Sequence, residues 1–325
     1  IIPVFLWLKE TKSGDIGECS GFPLDQNTSL WNKLASESAY CQAHKCNSSD
    51  ACFVKKIRDE ARKAHVVIVN HSLLFSDLIS ENAVLGEYHN LILDEAHHIE
   101  KTAQNYLGVE FSMWTTKSFI ASLYERDQME TGTLILLKQK IASAVLLPLE
   151  KTHAEKSVAA ASEGCLQFWT AVQNFFRSLT AELMKEKDFE MDEKQFRKSL
   201  NSKPHPSKIK YDKFAGPMLK AEKAMNDFFD AAAELKAVLI QLLEIMRNWR
   251  TDVFDNSDEL RQLLASRVEE LDRMTDTVQF LADAHNDDYV YWYELPNRER
   301  SFDTRFYAVP LNIAEILNTR LYEKL

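Results

Sequence analysis

Glycine is scarce in this chain, and that scarcity constrains its fold more than any other feature of the sequence. Only eight glycines occur among 325 residues, and none follows Gly216. Because glycine supplies the positive φ angles of many tight turns, such a chain is poorly suited to a sheet-rich fold with many hairpins. Alanine, leucine, glutamate and lysine, which favour helices, are frequent. We therefore expect a mainly α fold with an α/β portion.

Size and composition bound the possible classes of protein. The length of 325 residues allows two or three domains, and no apolar run is long enough to cross a bilayer. The formal net charge of -10 argues against a surface covered with nucleic-acid contacts but permits a local basic stripe. We expect a cytoplasmic protein that does not contact a membrane, with any DNA contact confined to one region.

Two short apolar runs predict the α/β portion. HVVIVN at residues 65–70 and NLIL at residues 90–93 are typical of parallel strands covered on both faces, and residues 72–80 between them predict a short helix. In such a sheet, ligands bind beyond the carboxyl ends of the strands. The residues that follow the second run are therefore candidates for a nucleotide site.

Asp94-Glu95-Ala96-His97 follows the second run directly. At the end of a buried strand, Asp94 can hold Mg²⁺ and Glu95 can orient or deprotonate an attacking water, while His97 can link the phosphate site to a neighbouring domain. The alternative interpretation is an ordinary helix N-terminus with acidic caps. No glycine precedes a Lys-Ser or Lys-Thr pair, so a phosphate-binding loop is missing and we do not expect this chain alone to hydrolyse ATP.

Four of the five cysteines are clustered near the beginning of the chain, at Cys19, Cys41, Cys46 and Cys52. Clustered cysteines without a secretory signal are more often metal ligands than disulfides. The wide spacing favours an iron-sulfur cluster, but zinc, with His44 as a further ligand, and no metal at all stay open as alternatives. Cys165 is expected to be a small core residue.

Residues from 111 to 284 predict successive helices, ending in an antiparallel helical hairpin over residues 231–284. Aromatic residues at helical spacing in this region are expected to pack in its core: Trp169, Phe175, Phe176, Phe228 and Phe229. Residues 289–295 and 304–311 predict strands, and residues 312–325 a terminal helix.

Two basic sets are candidates for DNA contacts, against the alternative of merely solvated surface. The first lies beside the cysteines and the second falls between residues 194 and 213; a turn-capping role competes with a DNA role for two further residues, Asn70 and His71. The candidate DNA-binding residues are Lys45, Lys55, Lys56, Arg58, Arg62, Asn70, His71, Arg197, Lys198, Lys208 and Lys210.

The order of these motifs is similar to that of a known family. The cysteine cluster, VVIVNHSLL at Val66–Leu74 and LILDEAHHIE at Leu91–Glu100 together resemble the iron-sulfur DNA helicases of the XPD and DinG family, and LKETKSGDIGE at Leu8–Glu18 is closer to the bacterial DinG branch. The resemblance implies a 4Fe-4S cluster held by the four clustered cysteines, and ATP with Mg²⁺ at Asp94 and Glu95. It also implies a first RecA-like motor domain interrupted by an iron-sulfur domain and a helical arch.

On this plan, residues 1–64 form the iron-sulfur domain, residues 65–110 part of the motor domain, residues 111–285 the arch, and residues 286–325 return to the motor domain. The implied function is that of a fragment of an ATP-dependent helicase that moves 5' to 3' on single-stranded and forked DNA in repair or replication. We expect this protein to be a monomer associated with the bacterial nucleoid. A non-catalytic, metal-stabilised helical module that binds DNA or a protein is the alternative, and a nuclease-helicase fusion is a second one.

Overall fold

The structure is a computed structural model that describes residues 2–35, 49–79, 84–127, 129–190, 208–213, 216–249, 253–254, 257–296 and 302–324 of the chain. It consists of two compact units. The first contains Ile1–Tyr106 and Ala314–Leu325, and the second contains Leu107–Ile313. Helices dominate both units, as the sequence predicts, and no helix in the described ranges is long and apolar enough to span a membrane.

The first unit is built from short helices. Its α-helices are α1 (Ile2–Glu10), α2 (Leu24–Leu34), α3 (Phe53–Lys63), α4 (His71–Ile79), most of α5 (Ile99–Leu107) and most of α11 (Ile313–Arg320). Single 3-10 turns lie at Ile16–Glu18, Ser49–Ala51, Ala96–His98 and Tyr322–Lys324. The helices predicted over residues 72–80 and at the end of the chain are thus confirmed, the last one shorter than predicted.

A small apolar core joins α1 to the loop that follows it. Val4 and Trp7 of α1 are buried together with Ile16, Cys19 and Phe22. The loop turns at Gly14, whose φ of +73° lies in the region that glycine tolerates and where an added Cβ would lie 2.5 Å from the ring of Phe53. The beginning of the chain therefore packs against the start of α3.

The two predicted parallel strands are not formed as strands. Residues 66–70 and 90–93 have no regular secondary structure, and the described part of the first unit contains no β-strand. The side chains of Val66, Ile68 and Ile92 are 77%, 93% and 95% exposed. An apolar run records that a segment is suited to burial, but a strand also needs a hydrogen-bonded neighbour. The prediction of a strand-helix-strand unit is wrong for these described segments.

The second unit is a helical bundle with an aromatic core. Its α-helices are α6 (Met113–Leu123), α7 (Thr133–Ser143), α8 (Pro148–Glu190), α9 (Glu222–Arg247) and α10 (Ser257–Asp283), with a 3-10 helix at Pro217–Ala221. The long helix α8 packs along α9 and buries Phe168, Phe175 and Phe176 against Phe228. Trp169 and Phe229 are half-buried against the same core, so the predicted packing role of these aromatic residues is confirmed.

The predicted helical hairpin is also present. Helices α9 and α10 pack against each other, and Lys236 near the middle of α9 pairs with Asp272 near the middle of α10. Pairing of midpoints across a short connection requires the two helices to run antiparallel. Cys165 is buried on α8, which confirms its expected place in the core, and this burial raises the pKa of its thiol to about 12.

A four-stranded antiparallel sheet completes the second unit. Its strands are β1 (Val109–Phe111), β4 (Lys208–Tyr211), β5 (Tyr289–Glu294) and β6 (Arg305–Pro310), in the order β1-β6-β5-β4. The strands predicted over residues 289–295 and 304–311 are confirmed. A separate two-stranded ribbon pairs β2 (Glu125–Arg126) with β3 (Glu130–Thr131).

The sheet changes the division expected at the C-terminal end. Residues 286–313 belong to the helical unit, whereas the sequence assigned them to the part of the chain that carries Asp94. The reason is hydrogen bonding: β6 pairs with β1, and β5 pairs with β4, which comes from the middle of the predicted arch. Only the end of the chain, from Ala314, belongs to the first unit.

Candidate functional site

The acidic pair Asp94 and Glu95 lies at a sharp turn of the backbone. Residues 91–93, which have no regular secondary structure, lead into Asp94, and Glu95 adopts a left-handed conformation with φ 48° and ψ 47°. That conformation costs about 1 kcal/mol or more for a residue with a Cβ. The 3-10 turn Ala96–His98 starts directly after it and continues into α5. The turn therefore directs the chain from the apolar segment into a helix within a few residues.

Local hydrogen bonds fix the turn. The Asp94 Oδ1 atom accepts a hydrogen bond from the backbone N–H of Glu95 at 2.9 Å, and the Glu95 carbonyl accepts one from the N–H of His98 at 2.9 Å. The Nδ1 atom of His97 lies 3.2 Å from Oε2 of Glu95. The rings of His97 and His98 have centroids 3.9 Å apart. The three predicted catalytic residues are thus close together.

The two carboxylates are open to solvent. Asp94 and Glu95 are both exposed, as is His97. Exposed, adjacent carboxylates can bind a hydrated Mg²⁺ and accept a proton from water, which are the two tasks that nucleotide hydrolysis needs at this position. The structure also agrees with the helix N-terminus interpretation, because the pair lies just before the 3-10 turn that leads into α5.

A buried carboxylate that the sequence did not reveal lies in the same unit. Asp77 of α4 is fully buried, and its Oδ1 accepts hydrogen bonds from the N–H groups of Val84 and Leu85 at 2.8 and 2.9 Å. Burial, together with the nearby Asp77 carboxylate, raises the pKa of the Tyr88 phenol. Asp77 thus anchors the turn that leads towards residues 90–93. An aspartate in a helix gives no sequence signal for such a role.

Two of the four predicted metal ligands lie in the described ranges. Cys19 is buried in the small core, where its Sγ lies 3.7 Å from the carbonyl oxygen of Pro3, and Cys52 is half-buried immediately before α3. Both thiols are free. The contact between Gly14 and Phe53 brings the segments that carry them together. The described residues alone contain no group of three or more metal-ligating side chains.

The other predicted ligands, Cys41 and Cys46, lie outside the described residues, as does His44, the further ligand of the zinc alternative. Only Cys19 and Cys52 among the four predicted cluster ligands can therefore be compared with the structure. Cys52 occupies the position before the first turn of α3.

The first basic set lies mainly on α3. Lys56 and Arg62 are exposed, Lys55 and Arg58 are half-buried, and Arg62 forms an ion pair with Asp59 at 3.3 Å. No residue of α3 is buried, so the basic side chains along this helix are open to solvent. Lys45, Arg197 and Lys198 lie outside the described residues.

The remaining candidate DNA contacts are divided between the two units. In the first, the Asn70 Oδ1 accepts a hydrogen bond from the N–H of Leu73 at 2.8 Å, which caps α4, while His71 is half-buried at the first position of that helix. In the second, Lys208 and Lys210 are exposed on β4. The capping interpretation of Asn70 is therefore supported by geometry, and the two lysines belong to a different surface.

That surface contains two aromatic residues that the sequence analysis did not single out. Trp292 on β5 and Tyr307 on β6 are directly opposite each other, and their rings stack with centroids 5.2 Å apart and an angle of 13° between planes. The alternation of YVYWYE places Trp292 on the opposite face from the buried Tyr291 and Tyr293. The sequence does show that every second side chain of this strand points to the same face. Which residues lie beside Trp292 can be told only once the strand pairing is known.

Comparison with known proteins gives relatives that are named as an exonuclease and as helicases. No protein-family model matches the chain. The 3'-5' exonuclease DinG of Bacillus subtilis is 24% identical over 329 aligned residues, which cover 99% of this chain and 32% of that protein. The ATP-dependent DNA helicase YoaA of Escherichia coli is 32% identical over 110 residues, covering 33% of this chain and 17% of that protein. The ATP-dependent helicase DinG of Mycobacterium tuberculosis is 30% identical over 110 residues, covering 34% of this chain and 16% of that protein.

Almost the whole of this chain aligns with the Bacillus subtilis relative, but the alignment spans only about a third of the length of that protein. The alignments with the other two relatives span a smaller share of their lengths. The names of these relatives agree with the motifs quoted above. They confirm the predicted resemblance of this chain to the DinG-like helicases.

Proposed function

We propose that this chain is part of an ATP-dependent DNA helicase that moves 5' to 3' on single-stranded DNA and unwinds forked duplexes during repair or replication. The observation that carries the proposal is the exposed pair of adjacent carboxylates, Asp94 and Glu95, at the end of an apolar segment in a chain similar to DinG over almost all its length. Helicase relatives imply DNA as the substrate class.

Each residue of the turn has a role in this proposal. Asp94, which is oriented by the N–H of Glu95, supplies an anionic oxygen to the Mg²⁺ of bound ATP. Glu95 accepts the proton of the attacking water. His97, 3.2 Å from Glu95, positions that carboxylate and transmits the state of the site to neighbouring parts of the protein. The lysine-containing phosphate loop that completes such a site is not among these 325 residues.

The exposed apolar segments support the same proposal. Val66, Ile68 and Ile92 are suited to burial inside a sheet but are exposed to solvent. In a complete motor domain, neighbouring parts of the protein would cover these side chains.

The proposal includes a 4Fe-4S cluster held by Cys19, Cys41, Cys46 and Cys52. The free, partly buried thiols of Cys19 and Cys52 and the contact between their segments support it. When bound, the cluster supplies a covalent cross-link between segments that share little apolar core. The basic surface of α3, with Lys56 and Arg62 exposed, then lies beside the cluster and contacts the DNA backbone.

The test uses the complete gene product and forked DNA with either a 5' or a 3' single-stranded tail. We expect ATP-dependent strand separation of the fork with the 5' tail, and its loss in the Glu95→Gln variant. Glu100→Gln, which changes an exposed carboxylate at the start of α5, is the matched control and should unwind as the unaltered protein does. Failure of the complete protein to separate either fork with ATP present would refute the proposal.

A second candidate function is 3'-5' exonuclease activity, because the relative that matches 99% of this chain is named for it. The same gene product should then shorten single-stranded DNA from its 3' end without ATP. Degradation that persists in the Glu95→Gln variant would assign it to residues other than this acidic pair. Absence of degradation would exclude this candidate.

A further inference from the structure

The four-stranded sheet of the second unit has two different faces. Tyr211, Tyr291, Phe306 and Ala308 are buried in the core of the helical bundle. The alternate residues point to the opposite face, where Trp292 and Tyr307 are half-buried but belong neither to that core nor to the apolar residues packed against it. The outer face therefore carries large aromatic side chains that do not stabilise the bundle core.

The strand register arranges these aromatic residues in a row with a lysine. Lys210 on the edge strand β4 pairs with Trp292, which pairs with Tyr307. The Nζ atom of Lys208 lies 5.0 Å from the centroid of the Trp292 ring, on the same face of the sheet. The outer face thus combines two parallel rings with the two exposed lysines of the edge strand.

The charges of this face are distributed unequally. Both outward residues of β4, Lys208 and Lys210, are basic, whereas Glu110 on β1 lies at the opposite edge, paired with Tyr307. Glu294 lies between Lys208 and Arg305 in the strand register. A polyanion following the β4 edge would meet lysine side chains, and its aromatic groups would reach the rings in the middle of the sheet.

We propose that the outer face of this sheet binds single-stranded DNA, with one base stacked on Trp292 beside Tyr307 and the backbone phosphates along Lys208 and Lys210. Aromatic side chains on a sheet, flanked by basic residues, bind bases irrespective of sequence because every base has a π-face. The ammonium group of Lys208 moves from the Trp292 ring to a phosphate when the base arrives. The inference rests on the proposed function for the premise that DNA is the ligand.

The experiment measures the affinity of the 325-residue chain for fluorescently labelled oligothymidylate of about 12 nucleotides, within the site size of such surfaces. Trp292→Ala should weaken binding about 5- to 150-fold, the loss expected for one stacked base, while Trp292→Phe retains a stacking ring and most of the affinity. Equal affinities for the unaltered chain and Trp292→Ala would overturn the inference.

Trp114→Ala is the matched control. Trp114 is 64% exposed on α6 in the same unit and has Lys117 at 5.3 Å over its ring, but no stacked aromatic partner among the described residues. It should bind the oligonucleotide as the unaltered chain does. A loss as large as that of Trp292→Ala would show a general effect of removing tryptophan and would overturn the inference.

The lysines give a variant that does not disturb packing, because both are exposed. Replacing Lys208 and Lys210 together by glutamine should reduce the slope of log affinity against log salt concentration by about 1.4, since each contact with single-stranded DNA contributes about 0.7. Photocrosslinking with 5-iodouracil in the oligonucleotide should label Trp292 or Tyr307. An unchanged slope, or crosslinks only to other residues, would contradict the assignment.

The outcomes also separate this inference from the proposed function. ATP-driven unwinding by the complete protein with oligonucleotide affinity indifferent to Trp292 would refute the sheet site and leave the helicase proposal intact. Oligonucleotide binding that depends on Trp292, in a complete protein that does not unwind DNA, would support the sheet site and refute the helicase proposal. If this face binds a protein partner rather than DNA, the oligonucleotide affinity should not depend on Trp292.

Discussion

The imidazole of His97 and the carboxylate of Glu95 lie 3.2 Å apart, from Nδ1 to Oε2, although the two side chains are 65% and 67% exposed. An exposed ion pair contributes little to stability, about 0 to 1 kcal/mol. The contact between these two residues therefore adds little to the stability of the fold.

This relationship predicts a separation between stability and activity. In the 325-residue chain, Glu95→Gln should change the free energy of unfolding by less than about 1 kcal/mol, because an exposed pair is lost and no buried group is left without a partner. Denaturant unfolding followed by circular dichroism measures it. A loss of more than about 2 kcal/mol would instead assign Glu95 a structural role.

The cysteine cluster predicts metal content. The chain purified without oxygen should contain iron and acid-labile sulfide in matching amounts, and Cys46→Ser should lose both because one thiolate ligand is removed. Cys165→Ala is the control, since Cys165 is buried in the helical core, and it should retain both. Zinc in place of iron, or no metal in the unaltered chain, would refute the cluster.

Gly132 has a backbone that other residues cannot adopt without strain. Its φ is +111°, and a Cβ added there would lie 2.4 Å from the backbone oxygen of Leu123. Gly132→Ala should therefore destabilise the second unit by about 2 kcal/mol or more, as measured by chemical denaturation. Gly216→Ala is the matched control, because its φ is -53° and its nearest contact would be an ordinary 3.4 Å, so a loss below about 1 kcal/mol is expected.

Much of the helical architecture could be predicted from the sequence because it follows from local periodicity. The apolar positions that run through α9 and α10 predicted their hairpin, and the β-branched and aromatic residues of β5 and β6 predicted strands. Phe175 and Phe228 lie in the core for the same reason, since their spacing placed them on the inward faces of α8 and α9.

Strand pairing could not be predicted in the same way. The run at residues 65–70 has the composition of a buried strand, but pairing depends on which other segments lie beside it, and none in the described first unit does so as a strand. The partnership of β4 with β5 joins residues about 80 positions apart in sequence, and no local pattern specifies such a contact. The aromatic pair Trp292 and Tyr307 depends on that register, which is why it was missed.

The position of Asp94 and Glu95 after an apolar segment could be predicted from the sequence, but their backbone geometry could not. DEAH behind an apolar run predicted that Asp94, Glu95 and His97 act together, and they do lie together. The left-handed conformation of Glu95 and the hydrogen bond from the Val84 N–H to Asp77 have no counterpart in local sequence pattern.

Burial of Cys165 predicts a pH dependence of stability. The pKa of its thiol is raised to about 12 by burial, from 9.0. A group whose pKa is raised in the folded state stabilises that state below its unfolded pKa, and this contribution is lost as the pH rises from about 9 towards 12. Cys165→Ala should therefore lose less stability than the unaltered chain on transfer from neutral pH to about pH 10, by about 1 kcal/mol.

Unfolding curves of the two proteins at both pH values measure this difference. Burial also raises the pKa of the Tyr211 phenol, but Tyr211 is common to both proteins and its contribution cancels. Equal losses in the two proteins would show that the thiol does not have a raised pKa in the folded state.

The most direct test of the helicase account is ATP hydrolysis by the complete gene product, with and without single-stranded DNA. We expect hydrolysis that DNA stimulates, and a fall of about 10²-fold or more in the Glu95→Gln variant, because the proton acceptor for the attacking water is removed. Glu100→Gln should hydrolyse ATP at the unaltered rate. Hydrolysis that is indifferent to both DNA and Glu95, or no hydrolysis by the complete protein, would contradict the assignment of Asp94 and Glu95 to an ATP site.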